Sequence, residues 1–138
     1  MTARRLAREL AFRASYQSDV TGEPIGHCLT EIFDEVGPGE ETRRFATSLV
    51  ESLAAHADEV DAAVTRIARN WPLGRMAATD RSVIRISAAE LLYHADTPTR
   101  VALDEAIEIA KKYGMDNSGS FVNGILDRIA HEARPSVG

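Results

Sequence analysis

The first 16 residues carry four arginines and two aromatics: Arg4, Arg5, Arg8, Arg13, Phe12 and Tyr16. Arginine grips phosphate through a planar fork of donors, and an exposed ring offers a face on which an unpaired base stacks. Wound as a helix at about 100° per residue, the segment divides into two arcs. Leu6, Ala7, Leu10, Ala11, Ala14 and Gln17 fall on a mostly apolar one; Arg4, Arg5, Arg8, Phe12, Ser15 and Tyr16 fall on the other. Cations interleaved with rings on a non-core face suit single-stranded RNA. A second reading packs Phe12 and Tyr16 beneath neighbouring helices and leaves the arginines solvated. Near the other end, Phe121-Val122-Asn123-Gly124-Ile125-Leu126-Asp127 follows Gly114-Met115-Asp116-Asn117-Ser118. Helix packing explains Phe121, Ile125 and Leu126, but not Asn123 and Gly124, both poor helix formers. Gly124 is expected to let another backbone or a ligand approach, and Asn123 to offer its amide.

Catalytic chemistry finds no comparable support. His27 and Cys28 are adjacent and diverge on a helix, so they cannot chelate one metal together. His56, His94 and His131 lack ligand spacing, and no glycine-rich phosphate loop or nucleophile motif appears. Asp104 and Glu108 share a face with Glu105 nearby, a pattern far commoner as a solvated acidic surface than as an acid–base pair. No cofactor, metal or catalytic residue is expected.

The elements that hold these residues are helices. Breakers stand at Thr21-Gly22-Glu23-Pro24, Gly37-Pro38-Gly39, Asn70-Trp71-Pro72-Leu73-Gly74, Asp96-Thr97-Pro98 and Gly114–Asn117. Between them the apolar spacing is helical: Val60, Ala63, Val64, Ile67, Ala68 and Trp71 after an Asp58 N-cap, and Val83, Ile84, Ser87, Ala88, Leu91 and Leu92 after Thr79. Lys111 and Lys112 close a helix that stops at Gly114. The pattern predicts an all-α chain of six or seven helices with a joint near Asn70–Gly74.

At 138 residues the chain is one compact unit or two small subdomains sharing a core. Four arginines against Glu9 give residues 1–13 a net charge of +3, which leaves −8 on the rest of a chain whose formal charge is −5. A second cluster, Arg66, Arg69, Arg75, Arg81 and Arg85, is interrupted only by Asp80. An arginine-rich patch on an acidic body suits a focused RNA site. No apolar run approaches the roughly 20 residues of a membrane span, and none follows the basic start as a signal peptide would. Cys28 stands alone, which excludes an internal disulfide and fits a reducing cytoplasm.

Ala7-Arg8-Glu9-Leu10-Ala11, Tyr16-Gln17, Asp80-Arg81-Ser82-Val83-Ile84-Arg85-Ile86, the run Val101–Gly114 and the Phe121–Asp127 motif occur in the order and spacing of one family. On these residues the chain resembles the NusB family of bacterial transcription antitermination factors, from about Arg4 to Arg128 and most densely from Asp80 onward. The resemblance implies a NusB-like fold of two small packed helical bundles, about residues 1–70 and 75–138 of a single domain. It implies a non-enzymatic RNA-binding adaptor for the boxA element of ribosomal RNA operon leader transcripts. Its partners would be NusE, a small-subunit ribosomal protein, and through it the elongating RNA polymerase with other Nus factors. A homodimer is left open, and no membrane partner is implied. Arg4, Arg5, Arg8 and Tyr16 match family positions at or beside the RNA, and Asp80, Arg81, Arg85, Phe121 and Asn123 match positions that border it. Ser15 departs from the pattern, which usually has Leu there. Two other classes remain in view. One is a helical self-association module without RNA affinity. The other is a relative of the RNA-binding domain of ribosomal RNA cytosine methyltransferases, for whose cofactor domain a chain ending at Gly138 leaves no room.

Overall fold

The computed structural model describes residues 1–135 and contains seven helices: α1 Ala3–Thr21, α2 Ile25–Val36, α3 Glu40–Ala55, α4 Ala57–Ile67, α5 Ala78–Tyr93, α6 Thr99–Tyr113 and α7 Ser118–Ala133. A short 3-10 turn at Leu73–Arg75 sits in the joint between α4 and α5, and no strand occurs among the described residues. Ser136, Val137 and Gly138, the end of the expected C-terminal subdomain, lie outside the described residues.

Each expected breaker lies between helices. Gly22 and Gly37 close α1 and α2 at φ 80° and 63°, and their N–H groups donate to the Ser18 and Phe33 carbonyls at 2.8 Å. Glycine takes this left-handed conformation without steric cost, which is why it stops a helix. At the other end of α1, the Thr2 hydroxyl accepts from the Arg5 N–H at 3.1 Å.

Two boundaries differ from the sequence expectation. Helix α4 begins at Ala57, so Asp58 is a first-turn acid that favours the helix dipole rather than the N-cap. His56, at φ −127° and ψ 29°, separates α3 from α4 with no turn residue to announce it. Helix α4 also stops at Ile67, so Trp71 stands outside the stripe assigned to it. Pro72 accounts for that placement, since the residue before proline is pushed out of the helical region.

Helix α5 is the axis of the molecule. Ser82–Ile84 and Ile86–Leu91 are all buried, so α5 is enclosed on nearly every face, as a helix inside a core must be. Helix α1 packs on it and also against α2 and α3, while α6 and α7 cover the opposite side. Helix α4 rests on α5 and α7 more than on α3. One continuous buried cluster threads all seven helices, from Ala7 and Leu10 through Leu49, Val64 and Ile84 to Leu126 and Ile129.

The glycine that a close approach requires is not the expected one. At Gly124 a Cβ would meet nothing within 4 Å, because the buried face of α7 runs through Val122, Ile125, Leu126 and Ile129 and Gly124 points away from it. At Gly114 a Cβ would stand 2.5 Å from the Ser118 hydroxyl and 2.7 Å from the Ala110 carbonyl. Gly124→Ala is therefore expected to raise stability by roughly 0.5–1 kcal/mol through helix propensity. Gly114→Ala should lower it by about 1 kcal/mol or more through overpacking. Urea unfolding midpoints check both, and a loss at Gly124 as large as that at Gly114 would contradict this assignment.

Candidate nucleic-acid interface

Helix α1 supplies most of the candidate residues, and its surroundings sort them. Arg8 is only 6 % exposed and lies inside the fold. Its Nε–H donates to Glu90 Oε1 at 2.9 Å and Oε2 at 3.1 Å, and its Nη2 donates to Oε2 at 2.8 Å. Glu90, from the last turn of α5, is 2 % exposed. Arg8 is thus corrected from an RNA contact to an internal ion pair, buried with its carboxylate partner away from solvent. The helical wheel erred because α1 is covered on more than one side, so Arg8, Phe12 and Ser15 of its charged arc are buried while Arg4, Arg5 and Tyr16 stay exposed.

Arg4 and Arg5 remain on the surface. The Arg4 guanidinium stacks over the Phe45 ring of α3 at 4.5 Å and has no ion pair among the described residues. Arg5, itself exposed, donates through Nε and Nη2 to both oxygens of the half-buried Glu105 on α6 at 3.1–3.3 Å. Tyr16 lies some three turns further along α1, about 17 Å from Arg5 by helical rise. It is 39 % exposed, while Phe12, one turn before it, is 2 % exposed. The structure therefore separates the two aromatics: Phe12 packs inward, and Tyr16 is presented outward. Phe12 forms the floor of an aromatic trio, with ring centroids 6.4 Å from Tyr16 and 4.9 Å from Tyr113 at the end of α6. Together with Arg13 and Thr79 these rings line a cavity of about 450 Å³, the size of a small-ligand site.

Arg81 and Arg85 are committed to the fold. Arg81 donates to the Asp19 carboxylate at 2.6 Å and to the carbonyls of Leu73 and Met76 at 2.8 and 3.0 Å. Arg85 lies between Asp61, at 2.9 and 3.0 Å, and Asp19, at 3.1 Å. Glu90, five residues along α5 from Arg85, is taken by Arg8 instead. Asp80 is half-buried in the first turn of α5, and its Oδ1 finds no hydrogen-bond partner. Ser15, where the family usually carries Leu, is buried and borders a cavity of about 220 Å³ beside Asp19 and Arg85. Phe121 packs half-buried against the core. Asn123, on the same helix, is half-buried and makes no side-chain hydrogen bond among the described residues.

Arg13 and Tyr113 were absent from the sequence-based set. Arg13 lies three residues before Tyr16 and so on its face, and the Lys111-Lys112-Tyr113-Gly114 stretch carries the signal for Tyr113. Tyr113 donates its phenol to Glu9, which also accepts from Lys112 at 2.5 Å. Burial pushes the Glu9 carboxyl up, yet the hydrogen bonds from Lys112 and Tyr113 outweigh it and hold the group below the usual carboxylate range. Asp19 behaves alike: burial raises it, and the bonds and charges of Arg81 and Arg85 bring it down on balance. On the outer face of α2, ligand atoms of Glu23, His27 and Glu31 lie within 4.8 Å of one another. Here His27 bridges two solvated carboxylates at 3.6 and 3.3 Å.

Seven helices that present the Tyr16 ring and the exposed Arg4 and Arg5 along α1, with the half-buried Arg13 reaching Glu35 at 3.6 Å, have the features of a helical RNA-binding module. Residues 5–131 match the NusB family, and the chain belongs to that family. It is 44% identical to the transcription antitermination protein NusB of Geobacter sulfurreducens, covering 94% of this chain and 95% of that one. Identity to the corresponding protein of Anaeromyxobacter dehalogenans is also 44%, over 99% of this chain and 96% of the other. Among solved structures, T. maritima NusB superposes with a TM-score of 0.91 at 40% identity, covering 98% of this chain and 95% of that one. The structure of antitermination factors NusB and NusE in complex with dsRNA gives 0.87 at 26% identity, over 96% and 98% of the two chains. The all-α NusB-like fold expected from the sequence is borne out.

Two tests follow from these ion pairs. Arg8→Met leaves Glu90 charged and unpaired in the core and should cost about 3–5 kcal/mol, whereas adding Glu90→Leu should recover most of the loss. Denaturant unfolding of the two variants checks this, and a mild effect of Arg8→Met alone would contradict the buried pair. The lowered carboxyls of Asp19 and Glu9 set the acid behaviour. Their stabilisation is present in full above the unfolded-state pKa values of about 4 and is lost as pH falls through the lower folded-state values. Thermal unfolding across that acid range should therefore be less pH-dependent in Asp19→Asn than in the parent chain. An equal dependence in both would remove Asp19 from the acid response.

Proposed function

We propose that the chain is a transcription antitermination factor that binds the boxA element of ribosomal RNA leader transcripts as a single strand, together with NusE. The observation that carries this reading is the 44% identity, over almost the whole chain, to proteins that act in antitermination. Through NusE and the other Nus factors it would join the elongating RNA polymerase in the bacterial cytoplasm. It works as an adaptor rather than an enzyme. Arg4 and Arg5 hold phosphates, Tyr16 stacks on a base above Phe12 and Tyr113, and Phe121 and Asn123 approach the strand from α7. Arg81 and Arg85 contribute from beneath, by fixing through Asp19 the α1–α5 contact on which Tyr16 stands. Asp80, whose Oδ1 is unpartnered among the described residues, borders the strand from the first turn of α5. Outside residues 1–13 the chain carries −8, which favours docking of a basic ribosomal partner and disfavours a long run of transcript.

Arg4→Gln together with Arg5→Gln should lower the slope of log K against log salt by up to about 1.4, near 0.7 per phosphate contact, and leave thermal unfolding unchanged. Tyr16→Ala should weaken boxA binding about tenfold with the salt slope intact, as loss of one stacked base requires. Fluorescence anisotropy of a labelled boxA strand reads both, and parent-like binding by all of these variants would exclude this face of α1. Linkage adds that NusE and RNA tighten one another by the same factor. Calorimetry in which RNA binds no tighter with NusE present would contradict the adaptor reading.

A further inference from the structure

The joint after α4 and the first half of α7 form a groove of about 430 Å³. Trp71, Arg69, Asn70, Phe121, Ile125 and Arg128 line it, and no acidic residue does. Trp71 is 50 % exposed, an unusual position for the largest apolar side chain and for the chain's only tryptophan. Its place is fixed rather than incidental. The Trp71 N–H donates to the Ala68 carbonyl at 3.1 Å, Pro72 restricts its backbone, and the Arg75 N–H donates to Pro72 at 2.9 Å to begin the next turn.

The charges at the groove are equally informative. Arg69 and Arg128 make no ion pair or side-chain hydrogen bond among the described residues. The nearest acids are engaged or turned away. Glu132, one turn beyond Arg128, is held by Arg66 at 2.9 Å. Asp127 lines a separate cavity with Thr99, His131 and Arg134. In a chain of net charge −5, two guanidinium groups are thus left uncompensated beside an exposed indole. An apolar peptide would leave both cations unmatched. A nucleotide uses all of it: a base for the ring, phosphates for the cations and a base edge for the Asn70 amide.

We propose that this groove is a second seat for single-stranded RNA, in which an unpaired base stacks on Trp71 while Arg69 and Arg128 hold the flanking phosphates. The inference rests on the RNA-binding reading above and extends it from the α1 face to the α4–α5 joint. Phe121 then serves as the wall of this seat, which gives its half-burial a function.

The lone tryptophan makes the seat directly observable. A dye-labelled boxA strand is titrated into the full chain with NusE present, while anisotropy reports binding and tryptophan emission reports the seat. The relevant signal is the part of the emission that disappears in Trp71→Phe. Quenching in step with anisotropy is expected. Trp71→Ala should weaken binding about tenfold with its helical circular dichroism unchanged, and Trp71→Phe should restore most of the affinity. Arg69→Gln with Arg128→Gln should lower the salt slope by up to about 1.4. Full RNA binding with constant Trp71 emission and parent-like variants would overturn the seat while leaving the antitermination reading in place. A Trp71 change produced by NusE alone, with no further change on adding RNA, would also overturn it by making the groove a protein contact. Absence of RNA binding by every measure would overturn both.

Discussion

Arg8 and Glu90 form the contact on which the rest of the arrangement depends. Two opposite charges at 2.8–3.1 Å, both almost wholly buried, join the second turn of α1 to the last turn of α5. The fork of Arg8 fits the carboxylate in one orientation only, so the pair fixes the rotation of α1 about its axis as well as its distance from α5. Phe45 of α3 covers the Arg8 guanidinium at 5.0 Å and brings a third helix to the same point. Once that rotation is set, Tyr16 faces outward two turns later and Arg4 one turn earlier. The outward placement of Tyr16 is therefore a consequence of an internal ion pair. The Asp19–Arg81–Arg85–Asp61 network repeats this design at the far end of α1, where it joins α1, α4 and α5.

This arrangement divides the arginines into two populations. Arg8, Arg81 and Arg85 answer buried or half-buried carboxylates, and their charge is consumed in holding helices together. Arg4, Arg69 and Arg128 face solvent without an acid partner among the described residues, and Arg5 stands between the two groups, itself exposed but paired with the half-buried Glu105. Clusters that look alike in the sequence thus serve opposite ends. An acidic protein of formal charge −5 can carry a focused RNA surface because many of its acids are occupied by the structural arginines or lie away from the free ones.

The helices were legible because their boundaries are chemical. Gly22, Gly37, Pro72, Pro98 and Gly114 interrupt apolar stripes of helical period, and each lies where the chain turns. The break at His56 was not legible, since neither His nor its neighbours prevent a helix from continuing; packing of α4 onto α5 and α7 turns the chain there. Burial on two sides explains the largest misreading of the site. A helical wheel assumes one core face, and α1 has a second made of charged residues matched to partners more than 80 positions away, as in Arg8 and Glu90. Asn123 and Gly124 stood out correctly as unusual helix residues, but Gly124 admits no close backbone, and the crowded glycine is Gly114. Trp71 was hidden by its helical spacing from Ile67 and Ala68, although the Pro72 beside it carried the signal that the helix had ended.

Arginine side-chain Nε–H NMR of the full chain, followed during titration with single-stranded boxA RNA and NusE, separates the two populations in one spectrum. The Arg8, Arg81 and Arg85 signals should be protected from solvent exchange and keep their positions when RNA is added. Those of Arg4, Arg69 and Arg128 should exchange fast in the free protein and shift with RNA. Movement of Arg8, Arg81 and Arg85 on RNA addition, with the solvent-facing arginines unchanged, would contradict the division of structural from RNA-facing charge.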